Sequence, residues 1–467
     1  MNFTEETRRK GYRAAFVFIA FVVLLRGGLV AHAIYRDQPK DYDRWYKVAR
    51  WCLQGRPLAD PSGVEMLNLP EDDPNKPLVQ YRLPPAFAVY IAPLGLLPYH
   101  VYVAVWYLLN IGCTVAAVAL ALKLVSGRWL PWSPLVLIVP VLGVLPFVWD
   151  DLHAGNTNLQ LLALLMLGAY LASKHRPLWG GLAIGWAISM KLFPVPILAP
   201  LFAQRRWKIL AATIIGSLLL TFVAPGIFRG FERNLRESGW WYARVIEPYL
   251  QSKQKRQWDR ESVSVKNMSL YAGISRFTRP VDVLSGNVGR PGDWEGKKLY
   301  VNVVSLPQKA ADLIFLGFVA ACGLAIGVVS FFGKRPKHDL TPAVDFAIGM
   351  TFILIATPIA WAYFYALLLL PFVVAAYVSE TYPAHPLGRL CRWACILGVL
   401  PMMLSPAPPL AAVGLAGWLT LGWLAVMLIL RRRLEELPPR PVLSTAKEKP
   451  SADSPEAGSA PVASSHS

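Results

Sequence analysis

The sequence predicts an all-α polytopic membrane protein with about twelve transmembrane helices, some of them short or re-entrant. Hydrophobic residues make up 55% of the chain and charged residues only 16%, whereas soluble globular proteins are about half apolar and about a quarter charged. The mean hydropathy is +0.40. Several apolar runs approach the ~20 residues that a helix needs to cross a bilayer. These runs include residues 14–30, 101–122, 209–223, 310–332 and 410–430.

The distribution of positive charge predicts which loops face the cytoplasm. The formal net charge is +18, and the basic residues stand in short clusters between apolar runs. This pattern is typical of cytoplasmic loops rather than of a nucleic-acid-binding surface, so we expect no nucleic-acid partner. The clusters that we place in the cytoplasm are Arg8–Arg13, Lys123 with Arg128, Lys174–Arg176, Arg205 with Arg206, Lys334–Lys337, Arg389 with Arg392, and Arg431–Arg433.

The first apolar run follows a basic segment, and Ala31-His32-Ala33 after it resembles a signal-peptide cleavage site. We favour an uncleaved first helix, because the apolar stretch is long and further spans follow it. This helix runs outward and places a polar loop at residues 35–82 outside the cytoplasm. The five cysteines show no spacing typical of disulfides or of a metal site.

Two segments do not fit a simple alternation of spans. Leu83–Leu97 is short and rich in proline, so we interpret it as re-entrant or interfacial, which is allowed where protein covers the backbone. Leu178–Phe202 has basic residues on both flanks and must begin and end inside. Because proline disrupts a helix, we predict a break at Lys191–Pro196 that brings Lys191 towards the outer side.

With these two corrections, a long loop at 230–307 lies outside and the C-terminus lies inside. We therefore predict one membrane domain at 1–436, with outer loops at 35–82 and 230–307, in the cell (inner) membrane. Residues 437–467 are rich in Pro, Ser, Ala and Glu, which predicts a disordered cytoplasmic tail.

Asp41 and Asp43 follow the first helix closely. A carboxylate held at a membrane surface can deprotonate a hydroxyl nucleophile or bind a metal. Asp41 equally suits the N-terminal cap of a helix that begins there, or a solvated surface, and the sequence leaves both interpretations open.

A second polar group occupies residues 149–158, between two apolar runs. It holds two acids together with His153, Asn156, Thr157 and Asn158, which are more polar side chains than a plain turn needs. Helix capping by Asn156 or Thr157 explains part of this pattern, and a functional site is the other interpretation.

Lys191 lies between Met190 and Leu192 inside a membrane segment. An ammonium there is costly and marks a functional candidate, unless the side chain extends to the interface. Its charge suits a phosphate, the anion that membrane-lipid substrates carry. Weaker candidates are Asn267, Ser269 and Arg276 in the outer loop, for which a surface position is the alternative.

Several short motifs follow one another in an order that carries a family resemblance. They are Asp41-Tyr42 with Trp45-Tyr46, Ala49 and Gly55; Tyr81–Pro85 with Pro93-Leu94; Gly155–Asn158; Lys191–Pro194; Arg205–Trp207; and Asn267–Leu270 with Arg276. Together they resemble the GT-C superfamily of membrane glycosyltransferases. They are most similar to glycosyltransferase family 87, the polyprenol-phosphate-mannose-dependent mannosyltransferases, although Asn156 stands where that family has Gln.

The resemblance implies a GT-C fold and a single inverting displacement, in which a hexose, with mannose expected, passes from polyprenyl phosphate to an extracytoplasmic acceptor. It makes Asp41 the catalytic base, with Asp43 as the next choice. Lys191 and Arg276 become the cations that face the leaving phosphate. The further expected substrate-binding residues are Asn267, Ser269, His153, Asn156, Asn158 and Tyr81. The expected partners are the lipid-linked donor, a glycan or glycolipid acceptor and membrane lipids, with no metal ligand and no certain cofactor.

The sequence departs from the family after Trp361, where the family often has a histidine. Here Ala362, Tyr363, Phe364 and Tyr365 follow. His153 is the other histidine that could serve, or the role is absent. A transporter or flippase of lipid-linked sugars is the main alternative function, since transporters also use broken helices. A non-catalytic membrane scaffold or sensor is a third.

Overall fold

The computed structural model of the chain describes residues 5–35, 41–58, 83–130, 133–247, 263–284 and 298–439. Within these ranges every regular element is helical, apart from one isolated antiparallel bridge between Asn267 and Trp361. The predicted all-α class is therefore confirmed. The helices belong to one compact unit that ends at Leu437, and nearly all of the predicted tail at 437–467 lies outside the described residues.

The helices are numbered here in chain order. The first seven are α1 (Glu5–Tyr35), α2 (Asp41–Leu53), α3 (Pro85–Ile91), α4 (Tyr99–Ser126), α5 (Leu135–Ala154), α6 (Asn158–Ser173) and α7 (Pro177–Met190). The next five are α8 (Leu198–Ala203), α9 (Trp207–Leu218), α10 (Ala224–Arg229), α11 (Phe231–Trp241) and α12 (Leu270–Thr278). The remainder are α13 (Gln308–Gly327), α14 (Thr341–Ala356), α15 (Leu369–Thr381), α16 (Pro386–Ala394), α17 (Leu400–Leu404), α18 (Pro408–Ala412) and α19 (Leu415–Arg433).

Seven segments in the described part of the chain are long and apolar enough to cross a membrane, in agreement with a multi-pass membrane protein. They are Tyr99–Ser126, Leu135–Ala154, Trp207–Arg229, Gln308–Phe332, Ala362–Thr381, Pro386–Leu404 and Leu415–Glu436. The shorter apolar helices are Phe21–Ala33, Pro85–Leu96, Asn158–Ser173 and Thr341–Ala356. Because these are shorter than the ~20 residues of a full span, the count of about twelve crossings stays a prediction.

Both predicted irregular segments are irregular in the structure. The first consists of α3 followed by a 3₁₀ helix at Ala92–Leu96, and it is too short to span a bilayer as a helix. In the second, α7 ends at Met190 and Lys191 has an extended backbone (φ −158°, ψ 127°) before a 3₁₀ turn at Val195–Ile197 leads into α8. The prolines of this segment lack the N–H that would continue α7. The break predicted at Lys191 is confirmed.

The core lies around α14 and α15, which are buried along almost their whole length. The peripheral helices instead expose large apolar side chains, such as Leu313 and Leu324 of α13. Exposed apolar surface on this scale marks contact with lipid or protein rather than with water. Close packing also involves small residues: a Cβ atom on Gly181 of α7 would lie 2.4 Å from Ala212 of α9. Small residues of this kind let membrane helices approach closely.

A buried ion-pair cluster joins three helices at one end of the bundle. The carboxylate of Asp345 in α14 accepts hydrogen bonds from Arg206 and from Arg431, each at 2.6 Å. All three side chains are at least nine-tenths buried. Arg431 also donates to the backbone oxygen of Lys334 at 3.2 Å. We name this cluster the Asp345 clasp; it unites three of the basic clusters seen in the sequence.

The bundle has a basic end and an opposite end. The helix α14 starts beside the Asp345 clasp, and the chain turns after Ala356 and returns through α15 to Thr381. Ser133, just before α5, donates to Glu380 at 3.0 Å, so α5 also starts at the basic end. At about 1.5 Å per residue, its 20 residues reach about 30 Å, the thickness of the hydrocarbon layer. Ala154 therefore lies at the opposite end.

We predict that Asp345→Asn lowers the free energy of unfolding by about 3–5 kcal/mol, because two buried guanidinium groups lose their carboxylate. The measurement is the thermal unfolding midpoint of the detergent-solubilised protein, followed by tryptophan fluorescence. Glu6→Gln is the control, since it removes an exposed ion pair with Lys10 and such pairs contribute little. Equal midpoints for the two variants would show that the clasp does not stabilise the fold.

Candidate functional site

The helix α2 is amphipathic and begins with two acids, which suit the positive N-terminal end of a helix. Its buried side chains are Tyr42, Trp45, Val48 and Ala49, a spacing that places them on one face. Lys47 and Arg50 lie on the opposite, exposed face. The sequence therefore directs one side of α2 against the protein and leaves a charged side outside.

The buried face of α2 docks on the turn that links α5 to α6. The Tyr42 hydroxyl donates to the backbone oxygen of Leu152 at 2.7 Å. The indole of Trp45 donates to the backbone oxygen of Gly155 at 3.1 Å, and Trp106 of α4 donates to the same oxygen at 2.9 Å. These bonds satisfy carbonyl groups at the end of α5 that have no partner within the helix.

Gly155 is required at this turn for two reasons. Its φ of +72° lies in the left-handed region, which glycine adopts without strain. A Cβ atom at this position would lie only 2.3 Å from the ring of Tyr42. Burial raises the pKa of the Tyr42 hydroxyl far above its ordinary value, and the nearby Asp151 adds to this shift. Tyr42 is therefore a neutral hydrogen-bond donor that binds the end of α5.

Docking of α2 brings Asp41 against the turn. One carboxylate oxygen of Asp41 accepts from the amide of Asn156 at 2.7 Å, and the other accepts from Arg44 at 2.7 Å. The Asp41 side chain is 18% exposed, so it is largely shielded but still reachable. The amide of Asn156 is held in turn, because its oxygen accepts from the backbone N–H of Thr157 at 2.8 Å.

The next asparagine of the same turn reaches Lys191. Asn158 donates to the buried carboxylate of Asp151 at 2.8 Å, and its oxygen accepts from the Lys191 ammonium at 3.0 Å. That ammonium also lies 4.3 Å from the ring centre of Phe364 and 5.7 Å from that of Tyr363, within range of a cation–π interaction. The break after α7 thus delivers a lysine to the turn at the far end of the bundle.

We name Asp41, Asp151, Asn156, Asn158 and Lys191 the site cluster. Two asparagines two residues apart connect a carboxylate on α2 with an ammonium at the α7 break. Asp151 is fully buried, and one of its oxygens has no hydrogen-bond partner among the residues that the structure describes. Buried polar atoms without partners are rare. The arrangement can therefore hold a proton acceptor and a cation close to one bound molecule.

Two further predicted residues lie near the cluster without joining its hydrogen bonds. Asp43 points to the exposed face of α2, where its carboxylate pairs with Lys47 at 3.0 Å. His153 is half-buried in the last turn of α5, two residues before Gly155. Arg26 of α1 holds the C-terminal part of α5 in place, since it donates to the backbone oxygen of Trp149 at 3.1 Å.

Arg276 was expected to face the phosphate, but its guanidinium is directed at backbone oxygens. Its guanidinium is fully buried and donates to the backbone oxygens of Val263 at 2.9 Å, Ala411 at 2.6 Å and Asn267, and also to Ser264 and Ala412. Arginine has five N–H donors, and these contacts occupy them. Burial lowers the pKa of Arg276 to about 9. The geometry favours a structural role, in which Arg276 connects α12 to the segment at 263–267 and to α18.

Asn267 and Ser269 are likewise engaged with the backbone. Ser269 caps α12 by accepting from Ala272 at 3.1 Å and donates to the backbone oxygen of Pro358 at 2.7 Å. Asn267 donates to the same oxygen at 3.0 Å and accepts from the N–H of Ala360 at 2.9 Å. These bonds attach the segment at 267–269 to the turn that precedes Tyr363 and Phe364. Their geometry favours positioning of that turn over direct contact with a substrate.

Tyr81 lies outside the described residues, so its expected role stays a prediction. Sequence reasoning did not select Asp151, Tyr363 or Phe364. Asp151 belongs to the polar run at 149–158, but the sequence alone gives no sign that its side chain is buried. Phe364 had no signal other than its place after Trp361. In the described ranges, no group of three or more His, Cys, Asp or Glu side chains is arranged to hold a metal ion.

Comparisons with known proteins agree with the resemblance noted in the sequence. The model of "Glycosyltransferase family 87" matches residues 81–358, which include the α5–α6 turn and Lys191. An "Alpha-(1->3)-arabinofuranosyltransferase" of Corynebacterium glutamicum is 28% identical over 200 residues, which are 42% of this chain and 44% of that protein. The chain thus spans less than half of the length of this relative. No solved structure matches, so the GT-C fold stays a prediction.

We predict that Gly155→Ala weakens the docking of α2 and lowers the free energy of unfolding by about 2–5 kcal/mol. Left-handed backbone costs a residue with a Cβ about 1–2 kcal/mol, and overpacking against Tyr42 adds about 1–3 kcal/mol. Thermal unfolding and limited proteolysis after Arg56 measure the effect. Gly112→Ala in α4 is the matched control, because a Cβ there meets nothing within 4 Å. Identical behaviour of both variants would contradict the docking model.

Proposed function

The chain belongs to glycosyltransferase family 87, and from this premise we propose that it transfers one sugar from a polyprenyl-phosphate donor to an acceptor hydroxyl outside the cytoplasm. The observation that carries the proposal is the site cluster. In it, two asparagines of one turn connect the Asp41 carboxylate to the Lys191 ammonium. A base and a cation at one place are what a displacement at a sugar carbon needs when the leaving group is a phosphate.

In the proposed reaction, Asp41 accepts the proton of the acceptor hydroxyl as that oxygen attacks the anomeric carbon. The bond between this carbon and the phosphate oxygen breaks at the same time, and its electron pair leaves with the lipid phosphate. One displacement inverts the configuration of the anomeric carbon. The bonds from Asn156 and Arg44 hold both oxygens of the Asp41 carboxylate, which keeps the base in one orientation.

Lys191 is proposed to face the leaving phosphate. Negative charge grows on that group in the transition state, and a cation fixed in a dry site stabilises it more strongly than one in water. The bond to Asn158 and the ring of Phe364 hold the ammonium in place. Asp151 behind Asn158 balances the charge of Lys191 between turnovers. Arg276 is left out of this proposal, because backbone oxygens occupy its donors.

Asp43 is the second choice for the base. It is two residues beyond Asp41, a rotation of about 200° around the helix axis, and is therefore on the other side of α2, where it is 33% exposed and paired with Lys47. An exposed carboxylate in one ion pair is oriented less firmly towards an acceptor hydroxyl than a carboxylate held by two donors, as Asp41 is. His153 is proposed to line the site from the end of α5.

The proposed sidedness follows from the two ends of the bundle. The Asp345 clasp gathers basic clusters at one end, and the site cluster lies at the other end of α5. Because basic loops are retained in the cytoplasm, the site cluster is proposed to face outwards from the cell membrane. Family membership in turn favours sugar transfer over transport of lipid-linked sugars.

The transferred sugar is proposed to be mannose, on the resemblance of the motifs. The relative named as an arabinofuranosyltransferase makes arabinofuranose on the same class of lipid carrier the second candidate. The acceptor is proposed to be a glycan or glycolipid. Assays with both labelled donors in membranes that contain natural acceptors distinguish the two sugars.

We predict that Asp41→Asn lowers sugar transfer by about 10²–10⁴-fold, the usual contribution of a general base, while the thermal unfolding midpoint stays unchanged. The measurement is transfer of label from polyprenyl-phosphate mannose and polyprenyl-phosphate arabinofuranose. Asp43→Asn is the matched control and should retain transfer within about tenfold. The reverse result would move the base to Asp43, and full activity of both variants would remove the carboxylates of α2 from the mechanism.

We predict that Lys191→Met, which keeps an unbranched side chain one atom shorter and removes the charge, lowers kcat/KM for the donor by about 10²–10³-fold, because the phosphate loses its fixed cation. Steady-state kinetics with varied donor measure this. The matched control is Lys208→Met, which removes an exposed lysine at the basic end of the bundle and should behave as the wild type. An unchanged kcat/KM in Lys191→Met would contradict the role in phosphate stabilisation.

A further inference from the structure

A cleft lies along the exposed face of α2, and apart from Asp43, the second choice for the base, its residues have no part in the proposed reaction. Its volume is about 400 Å³. The residues that matter for its chemistry are Asp43, Tyr46, Lys47, Arg50, Trp51 and Arg56. We name it the α2 cleft. It is distinct from the site cluster, because none of the five residues of that cluster lines it.

The α2 cleft begins beside the proposed base. Asp43 lines it and is separated from Asp41 by a single residue. From Asp43 to Leu53 the helix rises about 15 Å at about 1.5 Å per residue. Two residues turn a helix by about 200°, so a molecule in the cleft reaches Asp41 by passing around the N-terminal end of α2 and can then extend along the cleft over the length of the helix.

The charge in the α2 cleft is unbalanced. Lys47 pairs with Asp43 at 3.0 Å. Arg50 and Arg56 instead lie over aromatic rings: Arg50 is 5.8 Å from the centre of Tyr46, and Arg56 is 5.4 Å from that of Trp51. Neither guanidinium forms an ion pair with a carboxylate in the described part of the chain. Among the described residues, two positive charges of the cleft thus have no carboxylate partner.

The aromatic wall of the cleft is fixed in advance. The Tyr46 hydroxyl donates to the backbone oxygen of Leu97 at 3.0 Å, and its ring packs on Tyr99 with centres 5.2 Å apart. Such bonds reduce the ordering that a ligand must impose.

The loop after α2 is fixed as well. Arg229 donates to the backbone oxygen of Arg56 at 2.9 Å and pairs with the buried Glu237 at 2.7 Å. Arg233 pairs with the same carboxylate at 2.9 Å and donates to the backbone oxygen of Gly55. The position of the Arg56 backbone is therefore set by buried charges on α10 and α11.

We propose that the α2 cleft binds the acceptor saccharide and selects one that carries an anionic group, either phosphate or carboxylate. That the saccharide is the acceptor rests on the proposed function. That the cleft binds an anionic saccharide does not depend on it. Aromatic rings pack against the apolar faces of sugar rings, as in other ligand sites lined by aromatic residues. Guanidinium groups recognise phosphate and carboxylate through paired hydrogen bonds. A neutral saccharide would leave Arg50 and Arg56 without partners.

The test is a binding titration on the purified full chain in nanodiscs of neutral lipid at low salt. The probes are mannose 6-phosphate, glucuronate, mannose and inorganic phosphate. We expect mannose 6-phosphate and glucuronate to bind at least tenfold more tightly than mannose or phosphate alone. Arg50→Gln and Arg56→Gln should each weaken binding of the two anionic sugars about tenfold, while the Lys variants should retain part of it, because they keep the charge and lose the paired donors.

The matched control is Arg236→Gln. Arg236 of α11 also lies over an aromatic ring, 5.7 Å from the centre of Trp240, but outside the α2 cleft, so binding should not change. Equal affinities for neutral and anionic sugars would overturn the proposal, as would Gln variants that bind like the wild type. Tight binding of inorganic phosphate alone would overturn the saccharide part. Loss of sugar binding in nanodiscs that contain anionic lipid would identify a lipid headgroup as the ligand and also overturn it.

The same preparation separates this proposal from the proposed function. Binding of mannose 6-phosphate that persists in a chain unable to transfer sugar from either donor would refute the transferase role and leave the cleft in place. Transfer that proceeds while none of the sugars binds, with Arg50→Gln and Arg56→Gln fully active, would refute the cleft and leave the transferase role in place. A rise in KM for the acceptor, with kcat and the KM for the donor unchanged, is the expected result for both arginine variants.

Discussion

The docking of α2 on the α5–α6 turn is the constraint on which the site depends. At 13 residues, α2 is near the length at which an isolated helix is marginal in water, so its position comes from contacts rather than from its own stability. Tyr42 and Trp45 supply those contacts as donors to backbone oxygens, and the left-handed Gly155 leaves the space that the Tyr42 ring fills. Asp41 is the first residue of α2. The distance between the Asp41 carboxylate and the rest of the site cluster is therefore set by Tyr42 and Trp45, which follow it on the same helix.

Two buried carboxylates show how the same chemistry serves structure at one end and a site at the other. Asp345 has a guanidinium on each oxygen, and a buried charge matched in this way is fixed. Asp151 has one amide, and the ammonium of Lys191 lies beyond that amide. A buried group that is incompletely satisfied is expensive in a purely structural role. Asp151 is linked through Asn158 to Lys191, so the proposed reaction is assigned to the site cluster and not to the clasp, where both carboxylate oxygens already have a guanidinium partner.

The helical class, the short segment before α4 and the break at Lys191 could all be predicted, because hydropathy and proline act locally. The order of the spans and the basic clusters places Asp41, the polar run at 149–158 and Lys191 on one side of the membrane, which predicts that they meet in one cavity. The hydrogen bonds of Asn156 with Asp41 and of Asn158 with Lys191 agree with this prediction. The clasp and the enclosure of Arg276 could not be predicted in this way. Arg276 donates to an oxygen 135 residues away, and a polar residue in a loop gives no local sign that long-range packing will bury it. For the same reason Arg276 was expected to face a phosphate and is instead surrounded by carbonyl groups.

The departure of this chain from its family after Trp361 has a physical reading in the structure. Asn267 and Ser269 bind the turn at Pro358, and that turn leads directly to Phe364, whose ring lies 4.3 Å from the Lys191 ammonium. An aromatic ring attracts a cation without neutralising it, whereas a carboxylate in the same place would cancel the charge. It also excludes water from one side of the ammonium, which strengthens the field that a phosphate would experience. An aromatic wall after Trp361 therefore suits a lysine that must keep its charge for a substrate, and the buried hydrogen bonds of Asn267 and Ser269 hold that wall in place.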